Sequence, residues 1–67
     1  MNITINNKPY KTDDDCNLIE ILEKVQITNH FGVAIAVNNT VVPKTEWGKY
    51  IVKDRDTILV INAIFGG

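Results

Sequence analysis

The residues best placed for chemistry stand at the end of the sequence, which reads AIFGG. Gly66 and Gly67 follow an apolar run directly, and glycine normally serves where a backbone turns or is closely approached. The carboxylate of Gly67 has a reference pKa of about 3.5, so it is ionised at neutral pH. Such a carboxylate can attack the α-phosphate of ATP and form an acyl-adenylate if an enzyme draws the tail into a narrow channel. A frayed end or a cloning remnant is the alternative explanation.

The other candidate groups lack the companions that a reactive site needs. Cys16 precedes a predicted helix whose dipole would favour a thiolate, but no histidine or second cysteine is near it in sequence. His30 is the single histidine. The three acids at 13–15 lack the alternating ligand spacing of a calcium loop. We therefore expect no catalytic residue and no metal site, and we interpret the acidic run as a solvated loop.

Composition excludes several classes of protein. With 67 residues and a net charge of -1, the chain predicts one small domain without an electrostatic case for nucleic acid or an anionic membrane. One cysteine excludes an internal disulfide and a plant-type iron–sulfur cluster. The sequence offers no apolar run that spans a bilayer, and MNITINN does not resemble a signal peptide. We expect a bacterial cytoplasmic protein, or one of the plastid stroma if the source is an alga.

The elements that must position the tail follow from periodicity. Alternating apolar residues at 1–5 predict a strand, and INNKPY predicts a hairpin with Pro9 on an edge strand. A helix follows over NLIEILEKV, and strands are predicted over VAIAVN, TVVPK and TILVINAIF. The order β-β-α-β-β-β predicts an α+β fold, in which a mixed sheet of four to five strands packs on one helix.

The helix carries its own start signal. Asn17 is a candidate N-cap, and Glu20 completes a capping box with it. The face predicted to be buried consists of Leu18, Ile19, Leu22 and Val25.

The last strand is apolar on both faces, with Ile58 and Val60 on one and Leu59 and Ile61 on the other. One helix covers one face of a sheet, so the second face needs another explanation. Either the TEWGKY segment folds over it, or it is an exposed patch that docks a partner and continues into Ala63.

Three aromatic residues raise the same choice between packing and partner contact. Trp47 and Tyr50 are expected to close a small satellite cluster, with partner contact as the alternative. Phe65 stands two positions from the end, where the core of the domain offers it little, so we predict a docking contact.

The second half of the sequence resembles the ThiS family of sulfur carrier proteins from thiamine biosynthesis. The resemblance rests on an apolar strand before Val-Asn, an apolar pair before proline, a tryptophan four residues on, two aspartates and a terminal Gly-Gly. The matching residues are Val33, Ala34, Val37, Asn38, Val42, Pro43, Trp47, Asp54, Asp56, Ile58, Gly66 and Gly67.

The resemblance implies a ubiquitin-like β-grasp domain over 1–67 with a flexible tail at 65–67. It also implies that Gly67 is adenylated with ATP and Mg²⁺ by a ThiF-type adenylyltransferase related to ubiquitin activators. A sulfur donor fed by cysteine desulfurase would convert the adenylate into a thiocarboxylate. A ThiG-type thiazole synthase would then take the sulfur. The chain would be a co-substrate with no tightly bound cofactor, and Gly66 and Phe65 would serve in tail recognition.

Two turn positions depart from the family pattern. Arg55 stands where the family usually has glycine, and Asn39 stands where the family often has glycine. Arg55 is unfavourable if its turn requires a positive φ, so the sequence suggests a different local turn.

Three alternatives remain open at this point. The small subunit of molybdopterin synthase shares the thiocarboxylate chemistry, but its tail tends to contain proline and NAIFGG does not. The ubiquitin-related modifier of tRNA thiolation is typically longer. An interaction domain with accidental glycines is the alternative from another class.

Overall fold

The computed structural model describes residues 1–62, and residues 63–67 lie outside its described part. The predictions for Ala63, Phe65, Gly66 and Gly67, including the flexible tail at 65–67, therefore stay predictions.

The described part forms five strands, one α-helix and one short 3-10 helix. They are β1 (Asn2–Ile5), β2 (Lys8–Lys11), α1 (Leu18–Lys24), β3 (Val33–Val37), β4 (Thr40–Val42), the 3-10 helix (Lys44–Glu46) and β5 (Thr57–Asn62). The strand order across the sheet is β2-β1-β5-β3-β4. β1 and β5 run parallel, and the other neighbours are antiparallel. The predicted mixed sheet with one helix is confirmed. No helix in residues 1–62 is long and apolar enough to cross a membrane.

Helix α1 begins with the predicted capping box. The Glu20 amide donates to Asn17 Oδ1, and the Asn17 amide donates to Glu20 Oε1, each at 2.9 Å. The prediction for the buried face is partly wrong. Leu18 and Leu22 are fully buried as expected, but the third buried residue is Ile21. The helix ends at Lys24, so the later part of the predicted face lies beyond it; Ile19 and Val25 pack only at the edge of the core.

Trp47 belongs to the main core, so the prediction of a satellite cluster is wrong for it. Its side chain is 1% exposed, and its indole Nε1 donates to the Val42 carbonyl at 2.9 Å. The apolar ring is therefore buried without leaving its N–H unpaired. Tyr50 is half-buried against the same core.

The two hairpins turn on asparagine pairs. Ile5 pairs with Lys8, and Val37 pairs with Thr40, so each loop has two residues. All four loop asparagines (Asn6, Asn7, Asn38 and Asn39) have positive φ. A two-residue hairpin whose central residues both have positive φ is of type I′, and asparagine tolerates that conformation. Asn39 therefore keeps the backbone geometry that glycine would adopt.

Arg55 also adopts a positive φ, of 70°. The turn at this position therefore requires a positive φ, which is the case that the sequence marked as unfavourable for arginine. In this left-handed conformation the Arg55 amide donates to the Asn2 carbonyl at 2.6 Å. A residue with a Cβ is strained there.

Candidate functional site

Strand β5, which leads to the tail, lies in the middle of the sheet. β3 pairs with it along five positions, from Val37 opposite Ile58 to Val33 opposite Asn62. On its other side β1 pairs with Thr57 and Ile58. Beyond the end of β1, the side chain of Asn6 takes over, and its Oδ1 accepts from the Val60 amide at 2.8 Å. Strand β5 is therefore held from both sides as far as Val60, and by β3 as far as Asn62.

The two faces of β5 differ in their exposure to solvent. Ile58 and Val60 are 1% and 7% exposed, whereas Leu59 and Ile61 are 46% and 50% exposed. The interpretation that the TEWGKY segment covers Leu59 and Ile61 is wrong, because Trp47 is buried in the core on the helix side of the sheet. An exposed apolar surface remains, as the second interpretation requires.

This surface continues across the neighbouring strands, and we name it the open face. The sheet register sets Leu59 opposite Ala36, which is itself opposite Val41, and it sets Ile61 opposite Ala34. Val41 is 69% exposed. Because alanine side chains separate the larger ones, the open face is apolar with little relief. It consists of Ala34, Ala36, Val41, Leu59 and Ile61.

The aspartates of the sequence motif organise the start of β5. Asp56 is buried, and its two carboxylate oxygens accept from Asn38 Nδ2 and from the Lys53 amide, each at 2.9 Å. Asn38 Oδ1 in turn accepts from the Thr57 amide at 2.9 Å. Asp54 Oδ1 accepts from the Asn2 amide at 2.7 Å. These polar residues fix the register of β5, and their hydrogen bonds give them a structural role.

Cys16 is not a poised nucleophile. Its side chain is buried. Burial raises the pKa of the thiol above its ordinary value of 9.0, and the carboxylates of Glu20 and Asp13 raise it further while Lys24 opposes them. The dipole argument for a thiolate is therefore outweighed. A protonated thiol is a poor nucleophile and metal ligand.

The remaining sequence candidates are also placed. The His30 ring meets the Trp47 ring edge-on, with centroids 5.7 Å apart. The three acids at 13–15 are exposed to solvent. Within residues 1–62, no group of three His, Cys, Asp or Glu side chains comes together as a metal site would require.

Sequence reasoning missed one exposed aromatic residue, Phe31. It is 75% exposed, more than any other large hydrophobic residue in the described part of the chain. The sequence reads TNHFG around it, a polar loop without periodicity, so no pattern marked it. The structure places Phe31 near the end of β5, because Val33, two residues later, pairs with Asn62.

Comparisons with known proteins agree along the whole chain. The model of the ThiS family matches residues 3–67. The sulfur carrier protein ThiS of Escherichia coli (strain K12) is 33% identical over 67 residues, with both chains covered in full. The crystal structure of the thiamine biosynthesis protein ThiS from Geobacter metallireducens superposes with a TM-score of 0.81 at 28% identity, again with full coverage of both chains.

The solution structure of the thiamine biosynthesis protein from G. metallireducens gives a TM-score of 0.79 at 28% identity, covering all of this chain and 88% of the other. These likenesses confirm the ubiquitin-like β-grasp fold. The chain is a member of the ThiS family.

Proposed function

We propose that the chain is a sulfur carrier in thiamine biosynthesis, acting through the carboxylate of Gly67. The observation that carries the proposal is the family match, which runs through the whole domain and includes Gly66 and Gly67. The described residues support it, because the strand that precedes the tail is the central strand of the sheet.

Conversion of the Gly67 carboxylate into a thiocarboxylate requires a good leaving group. A carboxylate oxygen is a poor leaving group, so replacing it with sulfur needs activation. Attack of the Gly67 carboxylate on the α-phosphate of ATP releases pyrophosphate and forms an acyl-adenylate. A persulfide sulfur then displaces AMP, and cleavage of its S–S bond by a thiol leaves the thiocarboxylate. The ATP and Mg²⁺ belong to a ThiF-type adenylyltransferase, and cysteine desulfurase supplies the sulfur indirectly.

The same proposal assigns the later step and the role of the domain. The thiocarboxylate sulfur passes to a ThiG-type thiazole synthase, so the chain is a co-substrate of that enzyme and not a catalyst. Gly66 and Phe65 serve in recognition of the tail. The cycle runs in the bacterial cytoplasm, or in the plastid stroma if the source is algal.

We assign partner docking to Leu59 and Ile61, together with Ala63. Leu59 and Ile61 are about half exposed, and they belong to the strand that leads to the tail. Burying this apolar surface against an enzyme would favour the complex, and the gain must exceed the translational, rotational and side-chain freedom lost on association. Binding energy from the domain would thus position a terminal residue that has no side chain of its own.

An intact-mass measurement tests the proposal. The purified chain is incubated with ATP, cysteine and a desalted extract of a thiamine-synthesising cell, with a control that lacks ATP. We expect an ATP-dependent mass gain equal to the exchange of one oxygen for sulfur, located at Gly67. A variant without Gly67 should show no gain.

The negative outcomes are equally informative. If the extract loads a known carrier but leaves this chain unchanged, the sulfur-carrier proposal is wrong and the interaction-domain alternative gains. If the loaded chain supplies molybdopterin synthase and not thiazole synthase, the proposed acceptor is wrong.

A further inference from the structure

The loop before β3 holds Phe31 outward in an ordered turn. The Val33 amide donates to the His30 carbonyl at 3.2 Å, which closes a four-residue turn with Phe31 at its corner. Gly32 follows with a φ of 75°, as the third position of a type II turn requires. The Phe31 amide also donates to Asn29 Oδ1 at 3.0 Å. The backbone on both sides of the ring is therefore fixed.

This turn stands at the end of the sheet from which the tail leaves. Val33 is paired with Asn62, the last described residue of β5. Phe31 is two residues from Val33, which is at most about 7 Å along the chain, and paired strand residues lie about 5 Å apart. The backbone of Phe31 is therefore within about 12 Å of Asn62.

The length of the tail limits where an enzyme that acts on Gly67 must stand. Gly67 is the fifth residue after Asn62, and five residues span at most about 18 Å when fully extended. An enzyme whose channel encloses Gly67 therefore brings its surface close to the end of the sheet. Phe31 is exposed there.

We propose that Phe31 is a docking anchor for the enzyme that adenylates Gly67, and that its ring enters an apolar hollow beside the channel for the tail. The inference rests on the proposed function. A single exposed apolar residue is ordinary in itself. Phe31 differs because an ordered turn presents it and because the reach of the tail places the enzyme against it. Aromatic side chains, phenylalanine included, are enriched in interfaces between proteins. The adenylating enzyme is the one that must take up the chain with its carboxylate unmodified, so we assign the contact with Phe31 to that enzyme.

The test is ATP–pyrophosphate exchange by the purified adenylating enzyme, with the full chain as the varied substrate. We expect Phe31→Ser to raise the KM for the chain by about tenfold or more and to leave kcat within about twofold. Phe31→Leu should recover most of the loss, since it restores an apolar side chain. The melting temperature of each variant is measured alongside, and the exposed position predicts little change.

Ile51→Ser is the matched control. Ile51 is also exposed, but it forms a bridge with Asn17 at the beginning of α1, whereas Phe31 follows the end of that helix. We expect the KM of the adenylating enzyme to be the same for the Ile51→Ser variant as for the unaltered chain.

The possible outcomes distinguish a failure of the Phe31 proposal from a failure of the proposed function. If the unaltered chain supports no exchange, the proposed function fails. If it supports exchange and Phe31→Ser has the same KM, the anchor proposal is wrong. It is also wrong if Phe31→Ser impairs only delivery to thiazole synthase, or only abolishes self-association of the chain in sedimentation.

Discussion

Asn38 and Asp56 are 18 residues apart in the sequence, and the Asn38 Nδ2 donates to Asp56 Oδ1 at 2.9 Å. The bond joins the hairpin loop between β3 and β4 to the residue before β5. Asp56 is 7% exposed, and its other oxygen accepts from the Lys53 amide. One buried carboxylate thus ties the β3–β4 loop to the turn that leads into the central strand.

Replacing Asp56 with alanine should lower the free energy of unfolding by about 2–3 kcal/mol. The change removes the buried acceptor of two partly buried hydrogen bonds, from the Asn38 side-chain amide and from the Lys53 backbone N–H, and hydrogen bonds to a charged group contribute about 1.5–3 kcal/mol. Urea denaturation followed by circular dichroism measures it. The control is Asp14→Ala, an exposed residue, which should alter stability by less than about 0.5 kcal/mol. Equal effects of the two substitutions would show that the Asn38–Asp56 bond contributes nothing.

Replacing Arg55 with glycine should stabilise the chain by about 1 kcal/mol relative to Arg55→Ala. Both changes remove the same guanidinium, and only glycine relieves the strain at a φ of 70°, which costs about 1–2 kcal/mol for a residue with a Cβ. The lost ion pair with Asp54 spans 3.9 Å between exposed side chains and is weak. Thermal melts of the two variants give the answer. An alanine variant as stable as the glycine variant would contradict the strain.

The buried thiol of Cys16 should make stability fall at alkaline pH. Its pKa is raised above 9.0 in the folded chain, first by burial and then by Glu20. The folded chain holds the thiol proton more tightly than the unfolded chain. This contribution is therefore complete below the unfolded pKa and is lost as the pH rises through the folded pKa.

The measurement for Cys16 is urea denaturation at neutral and alkaline pH on the unaltered chain and on Cys16→Ala. The variant is expected to be less stable at neutral pH because of the cavity, and the difference between the two proteins should shrink as the pH rises past 9.0. A difference that is constant with pH would contradict a raised pKa.

Substitutions on the open face should impair adenylation in a graded way. Ile61→Thr should raise the KM for the chain most, Leu59→Thr less and Val41→Thr least. Ile61 is nearest the tail along β5, Leu59 is two residues farther back, and Val41 lies on β4, two strands away. Threonine keeps the preference for a strand while removing apolar surface. Exchange kinetics rank the three variants. The docking assignment fails if Val41→Thr has the largest effect, or if none of the three differs from the unaltered chain.

Local signals predicted the elements well because the interactions behind them are local. The capping box of Asn17 and Glu20 spans one turn of helix, and the asparagine pairs need only a left-handed backbone at two neighbouring residues. The resemblance to the ThiS family, which Gly66 and Gly67 helped to reveal, supplied the β-grasp architecture. Trp47 was misplaced because its partner, the Val42 carbonyl, becomes available only once β4 is paired.

The sequence by itself determined the order of the elements, the alternation within β5 and the terminal glycines that suggest the chemistry. Only the tertiary structure decided which face of β5 is exposed, since both faces are equally apolar and the single helix covers just one. It also decided that Phe31 stands near the end of β5, because pairing Val33 with Asn62 joins residues that are far apart along the chain. Sequence periodicity indicates which residues of a segment are buried. Which residues lie next to each other across the sheet depends on strand order and register.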